Sequence, residues 1–200
     1  IDNFVKQAFT FIIFIVLARL LSASLIGLLT FAMLFIQVFR SVIFDSIATA
    51  IVSRAQPEED YYNTGFILCV ITAIPAFLLL FFSADLLEQW TNTPGLASVI
   101  EGTCFILLTS GLSRMHEAWL QHQMQFKSLA IRSSLSTFFG GIIGILMAVK
   151  GFGVYSLVGQ QVSTAIIELA LIWIVSPWKP KISFSVLVYR DIFTYGKHVA

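Results

Sequence analysis

The stretch from Ser24 to Arg54 limits the folds open to this chain more than any other. Leu25 to Phe39 carry no charge. Arg40, Ser41 and Asp45 then follow Gln37 inside what the pattern still predicts as helix. About 28 helical residues at 1.5 Å each reach roughly 42 Å, more than the ~30 Å hydrocarbon core of a bilayer. Ionisable groups in a spanning helix are expensive and face a bundle interior or a wet cavity. This stretch therefore predicts a membrane protein with a polar path through it.

Composition agrees. The chain is 58% hydrophobic and 12% charged, against about 25% charged residues in a typical soluble domain. Too few charges remain to cover a water-facing surface, so lipid is the expected solvent. A formal net charge of +1 gives no electrostatic footprint for nucleic acid, and no nucleic-acid partner is expected. Cys69 and Cys104 sit mid-way along apolar stretches and read as packed thiols. Residue 1 is Ile and the chain stops soon after Gly196, so it reads as part of a longer protein.

The expected architecture is all-α and integral to the membrane. Six spans are predicted at about residues 4–21, 24–53, 61–83, 96–117, 129–149 and 154–175, forming one bundle over residues 1–181. Ser22 to Ser24 is a tight turn, and Arg54 to Asp60 is a polar loop. Pro75 is tolerated inside the third span. Asp85 to Gly95 is predicted as an exposed loop with Trp90 as an interface anchor. Gln121 to Ser128 is a polar connection and Lys150 to Gly153 a short turn. Residues 182–200 read as an amphipathic link and the start of a seventh span. Lys6, Arg54, Arg114, Lys127, Arg132, Lys179, Lys181, Arg190 and Lys197 collect on one side, with Arg19 and Lys150 on the other. That asymmetry places the N-terminus in the cytoplasm.

Polar groups within the spans are the candidate functional residues. Arg40 lies about 22 Å from the outer end of span two, and Arg114 about 26 Å from the start of span four. At similar depth, two guanidinium groups facing one cavity suit a phosphate or pyrophosphate, bound bidentately. Arg114 is also three residues from Glu117 and can pair with it locally. Gln37 adds a polar group near Arg40. Gln160, Thr164 and Glu168 recur every four residues on span six and share a face. Gln160 and Thr164 are candidate substrate contacts. Glu168, roughly 21 Å below Val154, is a candidate ion-coupling carboxylate or a structural hydrogen-bond partner, and Asp45 is the other coupling candidate. Ser136, Gly140, Gly144 and Ala148 form a small-residue stripe that lets a second helix come close.

His116 and His122 do not share a helix face, and no Cys or carboxylate stands at metal spacing, so neither metal nor cofactor is expected. Glycine-rich phosphate loops, Ser/His/Asp sets and paired catalytic carboxylates are all missing, and the chain does not read as an enzyme.

Four blocks carry a family resemblance. They are Leu17 to Ser22 followed by Gly27, Phe126 to Arg132, Gly151 to Leu157 with Gln160 and Gln161, and Pro177 to Pro180. Together they resemble the polysaccharide-transporter branch of the multidrug/oligosaccharidyl-lipid/polysaccharide (MOP) exporter superfamily, the flippase-like proteins of polysaccharide and O-antigen assembly. The chain departs from that pattern at Ala23–Ser24, where proline is usual, at Ile26, where an aromatic is usual, and at His122, where arginine is frequent. The resemblance implies a transporter of about twelve to fourteen helices in two bundles around a central cavity, with this chain as the first bundle. It also implies a bacterial inner-membrane protein that moves an undecaprenyl-pyrophosphate-linked oligosaccharide between leaflets. The expected partners are that lipid-linked substrate, membrane lipid, a polysaccharide polymerase and glycosyltransferases, in lipopolysaccharide, O-antigen or exopolysaccharide synthesis. Other readings stay open: a drug/cation antiporter of the same superfamily, a membrane polymerase or acyltransferase, and a non-enzymatic membrane scaffold.

Overall fold

The computed structural model describes residues 2–53 and 58–191, with only the backbone for residues 2–5. Arg54 and Lys197, two cations of the predicted charge asymmetry, lie outside the described residues, as does the predicted seventh span beyond residue 191.

Every long element described is helical. In chain order they are α1 (Asp2–Leu20), α2 (Ala23–Phe39), a π-helical turn (Arg40–Asp45), α3 (Ser46–Val52), α4 (Glu59–Thr91), α5 (Leu96–Thr103), α6 (Phe105–His122), α7 (Phe126–Val149) and α8 (Val154–Val175). Lipid offers no hydrogen-bond partners, so a chain this apolar satisfies its backbone within helices. Among the described residues, five stretches are long and apolar enough to cross a membrane: Ala23–Val52, Glu59–Thr91, Leu96–His122, Phe126–Val149 and Val154–Val175.

The spans differ in how much they are enclosed. Only 11% of the most apolar window of Val154–Val175 is buried, and 17% of that of Ala23–Val52, against 61% for Leu96–His122. Phe82, Leu86, Ile166 and Ile174 point outward, as lipid-facing side chains do. The α5–α6 span is therefore the central rod, and it carries Arg114, His116 and Glu117. α2, α3, α4, α7 and α8 contact it, and α1 reaches the bundle through α7. α4 packs on α6, α7 on both α1 and α8, and α8 on α6.

Three features depart from the predicted outline. Residues 85–91, expected in a loop, extend α4 by two turns, and the helix ends at Asn92 with φ 51°. Leu86, Leu87 and Glu88 are good helix formers, and nothing breaks the helix before Asn92. The Glu88 carboxylate then accepts the Ala97 N–H at 2.7 Å, closing the turn into α5. The second departure is that α7 begins at Phe126, inside the predicted polar connection. The third is that span two is interrupted by the π turn at Arg40–Asp45.

The turn at Lys150 to Gly153 falls where it was expected, with φ +81° at Gly151 and +57° at Gly153, a conformation costly for other residues. The small-residue stripe also has a visible purpose. A side chain added at Gly144 would meet the Gln160 Cβ at 2.7 Å, and one at Gly140 would meet Thr164. These glycines let α7 and α8 touch backbone to backbone.

Candidate functional site

Four charged side chains form a chain across three elements. Arg114 on α6 places Nη2 2.9 Å from Asp45 Oδ1, at the end of the π turn. Its Nη1 is 2.9 Å from Glu117 Oε2, one helical turn along. The other Glu117 oxygen lies 2.9 Å from Arg132 Nη1 on α7. Signs alternate along the series and the sum is zero.

The local sequence explains the arrangement. Residues three apart on a helix are neighbours, so Arg114 and Glu117 meet without tertiary help. A π turn closes i→i+5 hydrogen bonds and rotates the residues after it relative to a plain α-helix. Here it brings Asp45 to α6. Arg132 is held by its place at the start of α7, where the Ser136 hydroxyl donates to its carbonyl at 3.0 Å.

Exposure falls along the series. Asp45 is 44% exposed at its side chain, Arg114 19%, Glu117 13% and Arg132 8%. The Nε atoms of Arg114 and Arg132 are buried without a hydrogen-bond partner. Beside Arg114, a cavity of about 220 Å³ is lined by Thr49, Ser53 and Gln121 with Ala48 and Val52. A buried, hydrogen-bonded ion chain is costly to desolvate, and apolar packing would give equal or greater stability. Its presence in apolar spans points to function rather than to stability alone.

The predicted site residues are placed as follows. Asp45 and Arg114, read as belonging to different roles, are bonded to each other. Arg40 is half-buried at the start of the π turn and makes no ion pair among the described residues, while Gln37 one turn earlier is exposed. Arg40 does not line the Arg114 cavity. Gln160 and Thr164 are half-buried against α7, with the Thr164 hydroxyl donating to the Gln160 carbonyl at 2.7 Å. Glu168 is half-buried on α8 and is not part of the ion chain.

Sequence reasoning missed two things. It counts Arg132 only in the Lys and Arg asymmetry, although every intramembrane charge needs a partner and Glu117 has two carboxylate oxygens to offer. It also missed an aromatic group around His116. The imidazole is fully buried, with ring centroids of Trp173 at 4.7 Å, Trp178 at 5.0 Å and Phe66 at 6.3 Å. Trp173 Nε1–H donates to the Leu112 carbonyl at 3.3 Å, tying α8 to α6. Only the fold brings these four residues together. Among the described residues no group of three or more His, Cys, Asp or Glu is placed to hold a metal ion.

Comparison with known proteins adds the family context. Residues 16–200 match the family described as polysaccharide biosynthesis protein. The chain is 25% identical over 183 residues to the succinoglycan biosynthesis transport protein ExoT of Rhizobium meliloti, covering 90% of this chain and 37% of that protein. It is 21% identical over 165 residues to the teichuronic acid biosynthesis protein TuaB of Bacillus subtilis, covering 80% of this chain and 34% of that one. The chain thus spans little more than a third of the length of these relatives. No solved structure matches it.

Proposed function

The chain belongs to the polysaccharide biosynthesis protein family, and from that premise we propose that it forms one helical bundle of a membrane transporter for a lipid-linked oligosaccharide. The name of ExoT supports transport in polysaccharide synthesis. The substrate proposed is an undecaprenyl-pyrophosphate-linked oligosaccharide, flipped from the inner to the outer leaflet of a bacterial inner membrane. The Lys and Arg asymmetry supports a cytoplasmic N-terminus. Glycosyltransferases that build the oligosaccharide and a polymerase that consumes it are the proposed partners, and no catalytic step is assigned to this chain.

The observation that carries this reading is the ion chain with its half-exposed end. Glu117 holds one edge of the Arg114 guanidinium, and Asp45 holds the other. A diphosphate entering beside Thr49 and Ser53 competes with Asp45 for that outer edge, and guanidinium binds phosphate oxygens in a bidentate fork. Arg40, at the start of the same π turn and outside the Arg114 cavity, is proposed as a second positive charge further along the substrate's path. Asp45, once displaced, is a carboxylate able to take up a cation, which couples ion and substrate through one exchange. Glu168 is the second coupling carboxylate proposed. π turns inside helices are adjustable, and this one is the proposed moving element.

The test uses the full-length protein in a strain whose polysaccharide export depends on it. Arg40→Ala and Arg114→Ala should each abolish export while the protein stays at normal abundance in the membrane. Normal export by both variants would sink the reading. Asp45→Asn should retain substrate binding and lose any dependence of transport on the cation gradient.

A further inference from the structure

Beyond α8, residues 176–191 lie as a strap along the first turns of α4. The inner face of the strap is polar. The Lys181 N–H donates to Asn63 Oδ1 at 3.0 Å, and the Ser185 N–H to Thr64 Oγ1 at 3.2 Å. Asn63 and Thr64 are buried, so the strap backbone supplies the donors that water cannot. The Ser183 hydroxyl donates to the Asp60 carboxylate at 3.2 Å, and the Tyr61 phenol to Asp191 at 3.0 Å. Trp178 and Val188 are buried, with the Trp178 ring 5.9 Å from that of Tyr62.

The outer face is apolar. Ile182 is fully exposed, Leu187 is 82% exposed, Val186 68% and Phe184 50%. The Tyr189 ring, 6.1 Å from that of Phe184, extends the patch. A water-facing strap shows the reverse pattern, with polar groups outward and large apolar side chains turned in. Here the polar atoms go to the protein and the apolar side chains go out, as they do on the spans themselves.

The place of the strap says what covers that face. It starts directly after Val175, the last residue of a helix apolar enough to cross a membrane, whose Ile174 is 78% exposed toward lipid. The outer face therefore continues the lipid-facing surface past the end of α8. Lys179 and Lys181 turn their ammonium groups to polar partners, the Trp173 carbonyl and the Glu59 carboxylate, as cations do at a membrane boundary. An amphipathic segment at this level lies in the plane of the interface, its apolar face about 5–10 Å into the headgroup/acyl boundary.

We propose that residues 182–189 are seated in the lipid interface beside the end of α8, and that this seating keeps the strap closed on α4. The partner is the bilayer surface around the protein, and the inference does not rest on the transport reading. The inner bonds are few, and the Lys181–Glu59 pair is exposed at both side chains. In water, the outer face gains by leaving α4 and burying itself elsewhere. In lipid, one position satisfies both faces, and the strap holds. Through it the membrane fixes the first turns of α4 against the end of α8.

The experiment uses the full-length protein in nanodiscs of phosphatidylethanolamine and phosphatidylglycerol. Nitroxide labels are placed singly at Ile182→Cys and Leu187→Cys, the native Cys69 and Cys104 being buried. Both labels should be relaxed more by oxygen than by a water-soluble nickel chelate, at a depth just below the lipid phosphates. Stronger relaxation by the nickel chelate puts the face in water, and shielding from both reagents puts it under a later part of the chain. Either result overturns the proposal. Hydrogen exchange reads closure separately, at the Lys181 and Ser185 amides bonded to Asn63 and Thr64. Val186→Glu with Leu187→Glu should speed that exchange about tenfold or more. Leu187→Gln, a milder change at a fully accessible position, should speed it less, and Leu187→Phe, which keeps the face apolar, should leave it as it is. Unchanged exchange in the glutamate and glutamine variants, at normal abundance in the membrane, would show that lipid does not hold the strap closed.

Discussion

At its first turns α7 meets its neighbour through Arg132 and the Glu117 carboxylate of α6, 2.9 Å apart, whereas from Gly140 to Ala148 it meets α8 with almost no side chain at all. Both contacts answer one difficulty. Lipid tails are as apolar as leucine, so burying leucine between helices gains little, and association relies on close packing or polar contacts. The two solutions differ in what they permit. A bare backbone contact is made once and loses its dispersion energy on any separation. A salt bridge can exchange partners, because a carboxylate and a phosphate present similar oxygens to arginine. The glycine half of α7 is thus suited to holding and the charged half to changing.

The largest effect should come from the charged half. Glu117→Gln leaves Arg132, 8% exposed, without a carboxylate and cuts one tie of Arg114. Removing one partner of a buried pair costs roughly 3–5 kcal/mol, to be read as lost thermal resistance of the purified full-length protein. A change under about 1 kcal/mol would place the pair in the class of exposed ion pairs and end the distinction between the two halves. The glycine half should respond less. Gly144→Val sets new atoms against the Gln160 Cβ, 2.7 Å from where its own Cβ would stand. Such overpacking costs about 1–3 kcal/mol. Gln160→Gly in the same chain removes that Cβ and should recover part of the loss, a coupling that a double-mutant cycle measures directly. The smallest effect should come from Lys181→Ala. Its pair with Glu59 is 67% and 54% exposed at the two side chains, and exposed pairs are worth about 0–1 kcal/mol. The comparison is sharpest if salt alters that pair and leaves Glu117–Arg132 untouched.

Much of the candidate site could be read from local spacing, and the rest could not. Arg114 and Glu117 are three apart, so their pairing was available without a fold. The glycine stripe was visible for the same reason, since four-residue spacing marks one helix face. Asp45 was different. In a plain α-helix its direction is set by 3.6 residues per turn, and the π turn changes that direction. The propensity of Arg40 to Asp45 contains no sign of it. The pairing of Arg132 with Glu117, and of Trp178 and Phe66 with His116, joins residues 15 to more than 50 positions apart. The extra turns of α4 were lost to a different cause, because polarity at Asp85 and Glu88 reads as loop although Leu86, Leu87 and Glu88 favour helix.

Sequence alone determined that this chain is a set of apolar helices with lipid as solvent. That follows from hydropathy and from the need to satisfy every backbone group within the helix. It also determined which few charges stand inside the spans. Only the tertiary structure decided how they are connected. A charge in a low-dielectric interior must find its counter-charge, and which one lies within 3 Å depends on helix rotation and depth, which no local pattern encodes.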